Sequence, residues 1–322
     1  MQLNRSEMLR AYRQMRLIRE FEERLHIENR TGEIAGFTHL YSGQEAVAVG
    51  VCENLNKSDF IISTHRGHGH CIAKGGDVPS MMMEIYGRRD GLCKGRGGSM
   101  HIADIEQGIL GANGIVGAGS PIAVGAALAA KIKKNGGVAV SFIGDGASNQ
   151  GTVFEAMNMA VVLKVPKIFA FENNGYSEHT GAHYGIGAPD IVQRIKSFGM
   201  PVFEYDGFDF FSVHEAARQA IDYARSGNGP AAIYGVTTRY FGHFEGDPQN
   251  YRAKGEVEMF RTEKDCMLRF RKMVSDAQLL DVAELDGIDT EVLALIEQSV
   301  VNAKAAPPPP PETVTQDVYV SY

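Results

Sequence analysis

Two short apolar runs with a helix-length segment between them constrain this chain more than any other feature. Val138-Ala-Val-Ser-Phe-Ile143 and Lys167-Ile-Phe-Ala-Phe171 are of strand length, Thr152 to Leu163 is of helix length, and Pro166 marks the entry to the second run. Strands joined through a helix lie parallel, because a hairpin would reverse the chain. Further strand candidates at Phe60 to Thr64, Pro201 to Tyr205 and Ala231 to Val236 extend the alternation, with the amphipathic segment Val213 to Ala224 and then Gly227 between the last two. The pattern predicts an α/β fold, a doubly wound and mostly parallel sheet with helices on both faces.

Around that frame, Met8, Tyr12, Met15, Ile18, Phe21 and Leu25 recur every three or four positions from Ser6 to Arg30, which predicts an amphipathic helix with Ser6 as its cap. Glu45 to Leu55, Pro79 to Tyr86, Glu256 to Val274 and Thr290 to Ala303 also read as helices. Pro121 to Lys131 reads as a buried helix with its proline at the first position. Gly87 to Gly119 is dominated by glycine and polar residues, a connection too long for mere linkage and therefore functional or disordered. We expect one domain over 1–305, with an N-terminal helical extension (6–30) and C-terminal helices. A tail over 306–322 opens with the stiff, extended spacer Pro307 to Pro311 and is peripheral or partner-facing.

Composition excludes several classes. With 32 Lys and Arg against 39 Asp and Glu, the net charge of −7 provides no field for nucleic acid. No run is long and apolar enough for a bilayer and the first residues show no signal-peptide core, so the expectation is an unexported, cytoplasmic chain without membrane contact. Cys52, Cys71, Cys93 and Cys266 are scattered and read as reduced thiols. The 37 glycines, outside any repeat, suit the tight turns and close backbone approaches of phosphate-cradling enzymes.

Ligands of an open parallel sheet sit beyond the carboxyl ends of its strands. There the sequence places Gly144-Asp145-Gly146, Glu172-Asn173-Asn174-Gly175-Tyr176, the group His65, Arg66 and His68, and the pair Arg239 and His243. Asp145 and Asn174 are hard oxygen donors, and the βαβ unit brings them to one edge. One carboxylate and one amide carbonyl suit a Mg²⁺ ion that keeps positions for phosphate oxygens. Asp-Gly and Asn-Gly are also ordinary turn formers, and it is their joint placement at strand ends that favours a site.

These residues carry a resemblance. Gly144-Asp145-Gly146 followed by Asn173-Asn174 resembles the thiamine diphosphate signature of transketolase-like enzymes. Phe37-Thr-His-Leu-Tyr-Ser-Gly-Gln-Glu45, Lys94-Gly-Arg-Gly-Gly-Ser-Met-His101, Gly111-Ala-Asn-Gly-Ile-Val-Gly117 and Gly144-Asp-Gly-Ala-Ser-Asn-Gln-Gly151 resemble the α subunit of 2-oxo-acid dehydrogenase E1 components. Within that family, Ser63-Thr-His-Arg-Gly-His-Gly-His-Cys-Ile-Ala-Lys-Gly75 and Tyr240-Phe-Gly-His-Phe-Glu-Gly-Asp247 most resemble the acetoin-cleaving members. His65 stands where pyruvate-cleaving members have a tyrosine, and Phe244 where mitochondrial ones have a phosphorylated serine, so that control is not expected here.

The resemblance implies that Asp145, Asn174 and the carbonyl of Tyr176 hold Mg²⁺, and that Gly146 and Ala147 line the diphosphate of thiamine diphosphate. It implies a phosphate contact for Arg66, whose planar fork suits the task. It places Gly114, Ile115 and Val116 on the aminopyrimidine, although Ile115-Val116 reads equally well as core. His243 is implied at the diphosphate end, His39 near the substrate and His65 near the cofactor, where imidazoles can exchange protons. His65, His68 and His70 could suggest zinc, but no carboxylate lies close in sequence, and zinc is not expected there. The implied partners are an E1 β subunit in an α2β2 tetramer, which supplies the glutamate on the pyrimidine ring, and a lipoyl-bearing E2. The small-molecule substrate is acetoin, with pyruvate or a branched-chain 2-oxo acid as the alternative. A nucleotide-binding protein is disfavoured, since no G-x-x-x-x-G-K-[ST] occurs and Gly227-Asn-Gly229 precedes a strand instead of following one. A catalytically dead partner is disfavoured by Asp145, Asn174, Arg66 and His243 occurring together.

Overall fold

The computed structural model describes residues 3–188 and 190–319. Its sheet has five strands in the order β1 (Phe60–Ile62), β2 (Ala139–Gly144), β3 (Lys167–Asn173), β7 (Ala231–Val236) and β6 (Val202–Asp206), all parallel. A small hairpin, β4 (Tyr176–Ser177) with β5 (Thr180–Gly181), follows β3. Side chains alternate across each strand. Val140 and Phe142 therefore enter one core, with α1 (Arg5–Asn29), α2 (Glu45–Cys52), α3 (His68–Ala73) and α4 (Val78–Ile85). Ala139 and Ile143 enter the other, with α5 (Gly119–Lys133), α6 (Gly151–Leu163) and, beyond the short α7 (Ala182–Gly185), α8 (Ile191–Lys196). The first face also receives α9 (Phe210–Tyr223) and, after the surface helix α10 (Glu256–Glu263), α11 (Cys266–Asp276) and α12 (Val282–Ala305). The expected doubly wound sheet with helices on both faces is the fold. Among the described residues no helix is long and apolar enough to cross a membrane.

Several boundaries differ for local reasons. Asn4, and not Ser6, caps α1: its Oδ1 accepts the N–H of Glu7 at 3.0 Å and Glu7 Oε2 accepts the N–H of Asn4 at 2.7 Å, a reciprocal capping box. Pro121 lies inside the first turn of α5, two residues past its start. The segment expected as one helix over 256–274 is two, because Asp265 caps a fresh helix by accepting the N–H groups of Met267 (2.8 Å) and Leu268 (3.0 Å). Neither α3, hidden in the histidine-glycine run, nor α8, nor the hairpin is among the elements expected from the sequence.

The long glycine-rich connection is ordered by one carboxylate. Glu84, fully buried on α4, accepts four backbone N–H groups: Cys93 (2.8 Å) and Gly95 (2.8 Å) at Oε2, Gly97 (2.7 Å) and Gly98 (3.0 Å) at Oε1. Gly95 has φ +73°, and a Cβ there would lie 2.6 Å from the carbonyl oxygen of Arg88, so the loop closes on Glu84 only with glycine at this point. The next stretch runs beside β1, where Ile61 N–H donates to Gly108 O (2.8 Å) and Leu110 N–H to Ile61 O (2.9 Å). The tail lies against the same loop. Arg89 N–H donates to Pro307 O (2.9 Å), and Lys94 and Arg96 pair with Asp317 at 2.7 and 3.1 Å. The spacer is extended at Pro310 and then tightens into a 3₁₀ turn over Pro311–Thr313. Residues 320–322 of the tail lie outside the described residues.

Lys167 is the one fully buried lysine among the described residues. Its Nζ donates to Ser141 Oγ (2.6 Å) and to Ile168 O (2.6 Å), and it lies 4.1 Å from the Phe169 ring centroid. Burial holds its pKa well below the ordinary lysine value. The unfolded chain therefore binds a proton that the folded chain excludes, and stability falls as pH drops below the ordinary lysine range. Lys167→Met is expected to raise stability by about 1–2 kcal/mol at neutral pH and by less near pH 10. Urea midpoints at the two pH values check this, and an equal shift at both would exclude the charge origin.

Candidate active site

A cavity of about 270 Å³ opens at the carboxyl ends of β1, β2 and β3. The register sets it up: Gly144 pairs with Glu172 across β2 and β3, so Asp145 and Asn174 leave the sheet side by side. Both line the cavity. Asp145 is 3% exposed and its Oδ2 has no hydrogen-bond partner. Burial pushes its carboxyl up to about 6, against the lowering effects of nearby backbone N–H groups and Arg239. Asn174 Nδ2 donates to Gln44 Oε1 (3.1 Å), and Asn174 Oδ1 accepts the N–H of Tyr176 (3.3 Å). A buried, unpartnered carboxylate oxygen beside an oriented amide is a donor set that fits Mg²⁺. Gly146 and Ala147 complete this wall. A Cβ on Gly146 would stand 2.1 Å from Ser177 Oγ, so only glycine admits the hairpin this close.

The positive side is Arg66, 5% exposed. It donates to Leu40 O (2.6 Å) and to His243 O (2.9 Å) and makes no ion pair with a carboxylate among the described residues. Burial, and then the charge of Arg239, lowers its pKa to about 9. Arg239 is fully buried behind the loop that carries His243 and donates to carbonyls of Phe241 and Glu178 and to Tyr251 Oη. Two buried guanidinium groups held by neutral oxygens leave a charge deficit that an anion such as a diphosphate satisfies.

His39, His65 and His243 line the same cavity. Their ring centroids are 4.4 Å (39 to 65), 5.0 Å (39 to 243) and 5.0 Å (65 to 243) apart. Burial and then the Arg66 charge lower all three, His39 to about 2, His243 to about 3 and His65 well below the usual imidazole value. Each ring is neutral across the physiological range and can donate or accept, but not as a standing cation. Asp247 fixes the loop beneath His243 by accepting His243 N–H (2.6 Å), Tyr251 O–H (2.6 Å) and Gln249 N–H (2.9 Å).

The remaining sequence candidates divide. Gly114, Val116 and Tyr176 are in the wall. Ile115 is not: Asn113 Oδ1 takes its N–H at 2.8 Å, and the side chain is 73% exposed. His68 and His70 belong to the core: His68 bonds Glu22 and Ser99, and His70 bonds Ser63 and Glu172. The wall also includes Gln44, Thr64, Met100, Ser177 and Glu178, which carry no site signal in the sequence, and Glu172, which the sequence places at the strand-end edge without a role. Glu172 was within reach, since it immediately precedes Asn173-Asn174 at a strand end. Met100 arrives from the Glu84-ordered loop and carried no local signal.

Known proteins share this chain's pattern along nearly its whole length. Residues 13–312 match the family described as dehydrogenase E1 component. The α subunit of acetoin:2,6-dichlorophenolindophenol oxidoreductase from Cupriavidus necator is 54% identical over 320 residues, covering 99% of this chain and 96% of that protein. The subunit of the same name from Bacillus subtilis is 47% identical over 320 residues with the same coverage. The pyruvate dehydrogenase E1 component α subunit of Rhizobium meliloti is 40% identical over 306 residues, 95% of this chain and 88% of that protein.

Proposed function

The chain belongs to the dehydrogenase E1 component family, and on that footing we propose that it is the α subunit of an acetoin-cleaving thiamine diphosphate enzyme, working in a cytoplasmic α2β2 assembly with an E1 β subunit and delivering the acetyl-level fragment to a lipoyl-bearing E2 with release of acetaldehyde. The observation that carries the reading is the meeting of Asp145, Asn174 and Arg66 in one cavity, hard oxygens beside an uncompensated guanidinium. When bound, thiamine diphosphate supplies a nucleophilic thiazolium carbon and an electron sink for C–C cleavage. Asp145, Asn174 and the carbonyl of Tyr176 would hold its Mg²⁺, while Arg66, with Gly146 and Ala147, would hold the diphosphate. Val116 and Gly114 would press on the aminopyrimidine.

The histidine trio runs from the diphosphate end, at His243 beside Arg66, to the substrate end, at His39 and His65. Neutral imidazoles match a hydroxyketone, which carries no charge and offers a hydroxyl proton and a carbonyl lone pair. His39 and His65 each present a buried ring nitrogen without a partner, so either can take or return the hydroxyl proton of acetoin as the bond breaks. Exposed Ile115, next to the cavity wall, supports closure of the site by a second chain. The family match sets the nucleotide-binding reading aside.

Dye reduction by the chain co-expressed with its β partner, with Mg²⁺ and thiamine diphosphate, tests the reading. Acetoin is expected to exceed pyruvate in kcat/KM by at least tenfold. Preference for pyruvate or a branched-chain 2-oxo acid would keep the cofactor site and overturn the substrate. Full turnover by β-free chain would overturn the shared site.

A further inference from the structure

The local run His65 to His70 does not form a unit, but three histidines from separate segments do. His39 precedes α2, His65 follows β1 and His243 follows β7, and one ring nitrogen of each lies within 4.8 Å of the others. Nδ1 of His39 and Nε2 of His65 are buried and unpartnered. His68 and His70 are the contrast, since both nitrogens of each ring are bonded to Glu22, Ser99, Ser63 or Glu172. No carboxylate belongs to the trio. Its chemistry thus differs from that of Asp145 and Asn174 in the same cavity: oxygen donors suit Mg²⁺, while imidazoles alone suit borderline ions such as Zn²⁺, Co²⁺ or Cu²⁺.

We propose that His39, His65 and His243 form a second, transition-metal site that captures one Zn²⁺-class ion through three imidazoles and an anionic fourth ligand, and that this capture inhibits the enzyme by occupying the substrate end of the cavity. A tetrahedral site with Zn–N of ~2.1 Å has nitrogens ~3.4 Å apart, so nitrogens within 4.8 Å of one another close on an ion by at most ~1.4 Å. The open cavity leaves the fourth position free. Arg66, bonded to the carbonyl of His243, opposes a bare dication and favours an anion such as hydroxide or inorganic phosphate in that position. The binding half stands on the trio alone, and only the inhibition half rests on the function proposed above.

The assembly of this chain with its β partner, stripped of Mg²⁺ and cofactor, is titrated with Co²⁺. One equivalent per chain with the visible bands of four-coordinate cobalt, displaced by Zn²⁺, is expected, and Cu²⁺ should show coupling to three ring nitrogens by EPR. His39→Gln and His65→Gln should each weaken the Co²⁺ binding that gives the four-coordinate bands at least tenfold, whereas Asp145→Asn, which alters only the oxygen site, should leave those bands unchanged. In the loaded enzyme, Zn²⁺ should inhibit acetoin-dependent dye reduction and a chelator should restore it. Absence of the cobalt bands, coupling to fewer than three nitrogens, or bands that persist in the His39→Gln/His65→Gln double variant would overturn the site. Binding without inhibition would overturn the inhibitory role alone.

Discussion

Asp145→Asn is expected to lower turnover by about 10³-fold, or ~4 kcal/mol of activation free energy, with little loss of folded structure. The substitution keeps the shape of the side chain and removes its charge, the only carboxylate among the three proposed Mg²⁺ ligands. A second readout separates a cation ligand from a merely structural residue. In the chain alone, burial raises the Asp145 carboxyl to about 6, above its unfolded value. Between about pH 4 and pH 6 the folded chain therefore holds a proton that the unfolded chain has lost, and stability falls as pH rises through that window. A divalent cation needs the carboxylate and restores the loss above it. The rise in melting temperature from Mg²⁺ and thiamine diphosphate should thus be larger near pH 7.5 than near pH 5 in the native sequence, with that difference gone in Asp145→Asn. Equal gains at both pH values in the native sequence would remove Asp145 as the cation's partner.

The parts of this site that could be read from sequence are those tied to a strong local period. Val138 to Ile143 and Lys167 to Phe171 are predominantly apolar runs, with Ser141 and Lys167 the polar members, so their ends, and hence Asp145 and Asn174, are placed by pattern. His65, Arg66 and His243 followed from the same rule, because β1 and β7 are also apolar to their last residues. What escaped depends on contacts distant in sequence. The division of the histidines into a cavity trio and two core residues is decided by Glu22, Ser99 and Glu172, which lie far along the chain from His68 and His70. Ile115 sits in a loop without a period, where one Asx-type bond from Asn113 turns the side chain outward. The break between α10 and α11 lies inside a continuing amphipathic period, where Asp265 is one more polar residue by pattern and a cap only by its bonds to Met267 and Leu268.

Glu84 shows the same limit most sharply, and its replacement is expected to have the largest structural effect. Within α4 it reads as a single acid among methionines, with nothing local to mark it. In the fold it is the only counterpart of four backbone donors that no strand or helix satisfies. Glu84→Ala leaves those half-buried donors without their acceptor and removes a charge from the core, and should cost about 3–5 kcal/mol. Glu84→Gln keeps one acceptor oxygen, turns an amide N–H₂ towards the other donors, and should cost about half as much. The loss is local before it is global, because the released segment carries Lys94 and Arg96. Tryptic cleavage at these two residues should appear in the variants and be slow in the native sequence, where both pair with Asp317. The same loop continues to Ser99, bonded to His68, and to Met100 in the cavity wall. Thiamine diphosphate affinity should therefore fall together with loop order, although Glu84 itself lines no part of the cavity. Native-like protease resistance in Glu84→Ala would show that the loop is held by its flanks, and the coupling from α4 to the cavity would then be lost.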